Sequence, residues 1–221
     1  MTLFESFFKE QKTIIALGLL LVGCSRQPAT VLMNDHDVYF PLAVGNTWRL
    51  VSTGHRDDSL IVTVLGHEWK YGEVFALVEE RYMRGSNKRI VKLWRYSVSH
   101  DGNINTLVTV DSESKDTVVT WYKTSVEPGD SWITLTRSIL EPASLSKTRI
   151  TLVSREDTVV ANNRILVDCY NYYIDDLSVD DSEYHDWLAK GTGLVKRAYN
   201  ERVYVLSTFD KKTEVNARDK Q

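Results

Sequence analysis

Short runs of β-branched and aromatic residues recur from Thr47 to Phe209, each closed by Gly, Asn, Asp or Pro, and none repeats with the ~3.6-residue period of a helix. That pattern commits the chain to an all-β fold. Strands are expected at Thr47–Thr53, Ser59–Glu68, Glu73–Arg84, Lys88–His100, Ile104–Val110 and Thr117–Thr124. They continue at Ser131–Ile139, Lys147–Ser154, Arg164–Ile174, Tyr184–Ala189, Gly193–Tyr199 and Arg202–Phe209. Turn chemistry stands between them, as in Lys70-Tyr71-Gly72, Gly85-Ser86-Asn87, Asp101-Gly102-Asn103, Glu127-Pro128-Gly129-Asp130 and Gly191-Thr192-Gly193. Gly and Asn tolerate the positive φ of tight hairpins, and Asp bonds its own backbone. Connections this short force antiparallel neighbours, because a parallel return needs a longer crossover.

Alternation along the strands says how the sheet is used. In Glu73–Arg84 one face carries Val74, Ala76 and Val78, while the other carries Phe75, Leu77, Glu79 and Arg81. In Lys88–His100, Ile90, Trp94, Tyr96 and Val98 oppose Arg89, Val91, Leu93 and Arg95. Several strands are thus apolar on part of both faces. An antiparallel curled sheet, an open or half barrel, has this property, and two stacked sheets in a sandwich are the alternative.

Before the strands comes an address. From Ile14 to Gly23 the chain is uncharged and apolar, with Lys9 and Lys12 ahead of it. Such a run makes a helix of roughly 15 Å, about half of what a bilayer core requires, which is the length of a signal-peptide core. It ends Leu21-Val22-Gly23-Cys24, which resembles the lipobox of bacterial lipoprotein precursors. The resemblance implies cleavage after Gly23 and acylation of Cys24, whose several chains anchor a protein where one chain is marginal. Membrane lipid is therefore the expected partner of Cys24. Ser25 follows the cysteine, which by the same resemblance favours the outer membrane, facing the periplasm. The expected division is a signal peptide over 1–23, the lipidated cysteine and a tether over 24–37, the β domain over 38–209 and a charged tail over 210–221.

Two motifs frame the β domain. It opens Tyr39-Phe40-Pro41-Leu42-Ala43-Val44-Gly45-Asn46-Thr47-Trp48 and closes Trp187-Leu188-Ala189-Lys190-Gly191-Thr192-Gly193-Leu194-Val195-Lys196. The pair resembles a set of uncharacterised bacterial lipoproteins with an F-P-L-x-x-G-x-x-W start and a G-x-G-L-V-K close. A middle motif of that set, a Gly followed by an aromatic, is replaced here by Asn162-Asn163-Arg164. The resemblance implies the open, curled sheets of LolA/LolB-type carriers. Those carriers pack helices into the concave face, and this chain offers no such helices, so lipid carriage does not transfer. Physically, Trp48 reads as a large apolar plug and Gly191 and Gly193 as a sharp reversal.

Chemistry-bearing residues are scattered. The histidines His36, His55, His67, His100 and His185 form no metal-ligand spacing, and no nucleophile elbow occurs. Cys169 sits among β-favouring residues with no histidine near it in sequence, the setting of a buried thiol. Asp175, Asp176, Asp180, Asp181, Glu183 and Asp186 form an acidic run with a weak calcium reading, since it lacks the ligand order of an EF-hand. The expectation is therefore no catalytic residue, no metal ligand and no cofactor. A formal charge of −3 argues against nucleic acid, and two cysteines exclude a disulfide-dense scaffold. The chain reads as a membrane-anchored, non-enzymatic β domain binding an envelope protein or an apolar ligand. An envelope scaffold acting through sheet edges is the alternative.

Overall fold

The computed structural model describes residues 38–55, 57–109, 116–137 and 145–212, with the side chains of residues 88–90 and 137 left aside. The signal peptide, Cys24, the tether and most of the charged tail lie outside the described residues. Within them the chain forms twelve strands and no helix. These are β1 (Thr47–Ser52), β2 (Asp58–Lys70), β3 (Glu73–Arg84), β4 (Asn87–Val98), β5 (Ile104–Thr109) and β6 (Asp116–Tyr122). The second half supplies β7 (Ser131–Arg137), β8 (Leu145–Ala161), β9 (Arg164–Asp176), β10 (Tyr184–Ala189), β11 (Gly193–Tyr199) and β12 (Arg202–Asp210).

All belong to one antiparallel sheet in the order β6-β5-β4-β3-β2-β1-β12-β11-β10-β9-β8-β7. Each half of the chain is a meander of hairpins, and the halves join where β12 docks on β1. The sheet curls until its edges, β6 and β7, face one another, giving a nearly closed barrel with one seam unbonded. This is the expected curled sheet carried further round; the sandwich is not formed.

Local chemistry explains the hairpins. Tyr71 and Gly72, then Asn162 and Asn163, hold both central positions of their two-residue turns at positive φ, which is what the twist of a right-handed hairpin requires. Asn162-Asn163, the departure from the middle motif, is thus a turn in its own right. β8 also runs seven residues past the expected end at Ser154. Arg155, Glu156 and Asp157 look like a polar break, but register shifts on either side of Asp157 absorb them as bulges. A further bulge between Ile104 and Asn105 lets the neighbours Trp121 and Tyr122 both bury.

Phe40 to Trp48 closes one end of the barrel. Phe40 stacks on Trp48 at 5.2 Å and meets Tyr96 edge-on at 5.5 Å. Asn46 donates to the Pro41 carbonyl at 3.0 Å, and the ring of His67 bonds the Leu42 carbonyl at 2.7 Å. The closing motif meets the opening one here. Gly191 N–H donates to the Val38 carbonyl at 2.8 Å, and the Trp48 indole N–H donates to the Thr192 carbonyl. The indole lies over Gly193, where a Cβ would stand 2.9 Å from Nε1.

Two glycines separate the causes of a loss of stability. Gly193 and Gly129 both have φ above +85°, at +90° and +97°, but Gly129 faces open space. Gly129→Ala is expected to cost about 1–2 kcal/mol from backbone strain alone. Gly193→Ala is expected to cost at least about 2 kcal/mol more, because the indole must move. Urea unfolding midpoints of the two variants measure the difference, and equal midpoints would show that Trp48 yields freely.

Candidate functional site

Three strands place charge inside the barrel. On β3 the inward face Ala76, Val78 continues to Glu80, and on β11 Val195 continues to Arg197. Strand period alone aims both at the core. Asp186 arrives from β10 as the ladder partner of Arg197. All three are buried. Arg197 grips Asp186 bidentately, through Nε at 2.6 Å and Nη2 at 2.7 Å, and reaches Glu80 at 3.3 and 3.4 Å. Its Nη1 also donates to the Tyr82 hydroxyl at 2.8 Å, and Tyr122 donates to Asp186 at 2.6 Å. The fork geometry of guanidinium against carboxylate makes this a strong, directional cluster.

The electrostatics follow. Burial alone would raise the Glu80 carboxyl, but Arg197 and Lys92 outweigh it and hold it below the ordinary carboxylate value. Burial draws Lys92, the ladder partner of Glu80, below its ordinary value, although Glu80 pulls the other way. Burial pushes Tyr82 up to about 12 and sends Tyr122 and Tyr184 well above the ordinary phenol value. Converging carboxylates that shared a proton would be the chemistry of an acid catalyst. Here Arg197 lies between the two carboxyl groups and bonds both, which is the arrangement of a structural ion pair.

Aromatic rings run through the aliphatic interior. Tyr39, Tyr170, Tyr172, Tyr122, Trp121, Trp94, Tyr96, Phe40, Trp48 and Phe209 form an unbroken succession of ring contacts with centroids 4.2 to 6.3 Å apart. The aromatic side chains that could have stacked on a ligand stack on one another. Beside the seam the lining turns polar. Thr134 on β7, Thr148 on β8 and Asp176 on β9 form one ladder row, with Thr136 and Ser146 in the next. The hydroxyls of Thr106, Thr134 and Thr148 and the indole N–H of Trp132 are buried and meet no hydrogen-bond partner among the described residues.

The other sequence candidates disperse. Of the acidic run, Asp186 binds Arg197, Asp176 accepts from Ser146 and Asp175 lies 3.8 Å from Arg149. Cys169 is buried, and burial pushes its thiol up to about 11. His55 and His100 are exposed. His185 is half-buried in an outer-face network missed from sequence, bonding Asn171 at 2.9 Å while Asn171 and Trp187 both donate to Asp157. The buried Arg197 cluster was missed as well. Its signal was a charge continuing an apolar face, two residues beyond Val78 and two beyond Val195.

No protein-family model matches the chain, and no curated protein matches its sequence. Among solved structures it is similar to a Bacteroides fragilis exported protein with a YmcC-like fold. The identity is 12% and the TM-score 0.50, with 79% of this chain and 100% of that chain covered. A second, a lipoprotein from Parabacteroides distasonis, gives 11% identity and a TM-score of 0.49, covering 80% of this chain and all of the other. At such identity the first likeness is one of fold.

Removing the guanidinium strands two buried carboxylates. Arg197→Met is expected to cost about 3–5 kcal/mol, and Asp186→Asn with Glu80→Gln in the same chain should restore part of it. The cluster also sets the pH limits. Glu80 ionises more readily folded than unfolded, so its contribution is present above the ordinary value near 4.5 and is lost as pH falls through the folded value. Tyr82 runs the other way: its contribution is whole below about 10 and is lost as pH rises through about 12. Urea midpoints followed against pH check both limbs, and Glu80→Gln should flatten the acid one.

Proposed function

We propose that this protein is a non-enzymatic lipoprotein of the bacterial envelope, anchored through Cys24 at the periplasmic face of the outer membrane, whose barrel binds a partner protein along its seam. The observation that carries the reading is the pair of unbonded edges. β6 ladders only with β5, and β7 only with β8, among the described residues. An unpaired edge presents a row of N–H and C=O groups that a strand from another chain can complete. The interior supports the same direction, since its buried charges pair in the Arg197 cluster and its rings stack on one another. The leader and Leu21-Val22-Gly23-Cys24 support the anchor.

A second reading rests on the orphan hydroxyls. Buried donors without acceptors cost free energy unless a ligand or ordered water meets them. Thr106, Thr134 and Thr148 therefore favour a small polar ligand over the apolar one expected from the sequence as the alternative to an envelope protein. Native mass spectrometry of protein extracted from envelopes tests this: a small adduct lost in Thr134→Val with Thr148→Val supports it.

Two experiments test the main reading. Cys24→Ser should abolish incorporation of labelled palmitate and leave the uncleaved precursor; labelling that persists removes the anchor. A photo-cross-linking residue at Ile133, 54% exposed on β7, should give a discrete adduct in intact envelopes. The same residue at Leu93, 51% exposed on β4 within the sheet, should give none. Equal adducts from both sites, or none from Ile133, would sink edge pairing.

A further inference from the structure

We infer that the tip of the β8–β9 hairpin is a second membrane contact, lying against anionic phospholipid headgroups and the outermost acyl region. The inference rests on the anchoring of Cys24 proposed above and adds a protein surface to it.

The hairpin outruns its neighbours. β7 flanks β8 only from Leu145 to Thr151, and β10 flanks β9 only from Tyr170 to Ile174. From Glu156 to the turn at Asn162-Asn163 the hairpin has no flanking strand, a reach of roughly 15–20 Å. Its two faces differ. Val159 and Ala161 are buried and Leu166 is half-buried. On the other face Val160 and its ladder partner Ile165 are 67% and 71% exposed, and Val167 is 60% exposed. Three aliphatic side chains on the outward face of a tip whose inward face packs on the core form a patch that water disfavours.

Charge suits a layer of lipid headgroups. Between Thr158 and Val167 the only charged residue is Arg164, beside the turn. The carboxylates Glu156, Asp157 and Asp168 are withdrawn to the base, where Asp157 is already bonded to Trp187 and Asn171. An arginine beside aliphatic side chains can bury its stem and keep its head among phosphates. The two strands bond each other up to a tight turn with both asparagines at positive φ. Their outward-facing N–H and C=O groups meet no flanking strand and stay hydrated, which places the tip among headgroups with only its aliphatic side chains reaching the outermost acyl region.

The place of attachment selects lipid over a protein partner. The described domain begins at Val38, whose carbonyl is bonded by Gly191, and the next ring, Tyr39, lies 4.2 Å from Tyr170. Tyr170 follows directly on Asp168 and Cys169 at the base of the hairpin. The anchor therefore pulls on the domain beside this hairpin. Residues 24–37 span at most about 50 Å when fully extended, which keeps the tip within reach of the bilayer.

The test uses the acylated full chain in phosphatidylethanolamine/phosphatidylglycerol vesicles. An environment-sensitive nitrobenzoxadiazole label goes on Ile165→Cys or, as a control, on Leu93→Cys. Cys24 is acylated and Cys169 is buried, so the new thiol takes the label. Lipid-borne nitroxides should quench the label at 165 strongly and leave the one at 93 unaffected. Protein that floats with the vesicles while the label at 165 stays unquenched overturns the inference and leaves the anchor standing. Protein that neither floats nor is quenched overturns both. A label at 165 shielded from aqueous iodide yet untouched by the nitroxides identifies a second copy of the chain as the neighbour and overturns the lipid assignment.

Discussion

The contact between the Trp48 indole and Gly193 is the constraint on which the barrel depends. It lies where the first strand of the sheet meets the last hairpins, and it exists because a glycine leaves room for a ring. Around it gather the Thr192 carbonyl, the Phe40 and Phe209 rings and the bond from Gly191 to Val38. The opening and closing motifs lie about 140 residues apart in sequence and form one seal in space. A chain built from two independent meanders needs such a joint, because hairpin chemistry holds each half together but does nothing to join them.

A second joint is electrostatic. Arg197 ties β11 to β10 and, across the interior, to β3, while Tyr122 carries the network over the seam to β6. Burying these charges is costly, and a well-packed apolar replacement is often no less stable. What the cluster adds is direction, since a bidentate fork tolerates one register and a greasy contact tolerates several. The seam is spanned by side chains in the same way. Tyr122 packs on Tyr172, and the Tyr172 hydroxyl donates to the Lys123 carbonyl at 2.9 Å. The edge strands are thus held near each other, and among the described residues no ladder bonds join them.

These joints direct attention to the outside of the barrel. The rings stack on one another and the Arg197 cluster pairs its own charges, while among the described residues the seam edges, the hydroxyls of Thr106, Thr134 and Thr148 and the aliphatic tip of the β8–β9 hairpin are features without an internal partner. The described domain begins beside the base of that hairpin, where Tyr39 packs on Tyr170. An anchor at Cys24 acting together with the tip would fix the domain's orientation on a membrane, and a lipid anchor alone would leave it free to swivel.

The strands were legible because alternation and turn chemistry act between residues close in sequence. Tyr71-Gly72 and Gly85-Ser86 mark their hairpins whatever else the chain does. The run Arg155-Glu156-Asp157 misled for the opposite reason. Its charges suit a turn locally, and only Trp187 and Asn171, brought in by neighbouring strands, make Asp157 worth keeping in a bulged strand. Glu80 and Arg197 could be placed on inward faces by counting in twos, but not paired, because 117 residues separate them. By itself, then, the amino-acid order determined the class of fold, the hairpins and the anchor motif, all of them matters of local stereochemistry. Which edges stayed free, which charges met and which apolar tip was left facing outward were decided only by the curl of the sheet, because long-range register depends on the sum of many contacts and on no single stretch of chain.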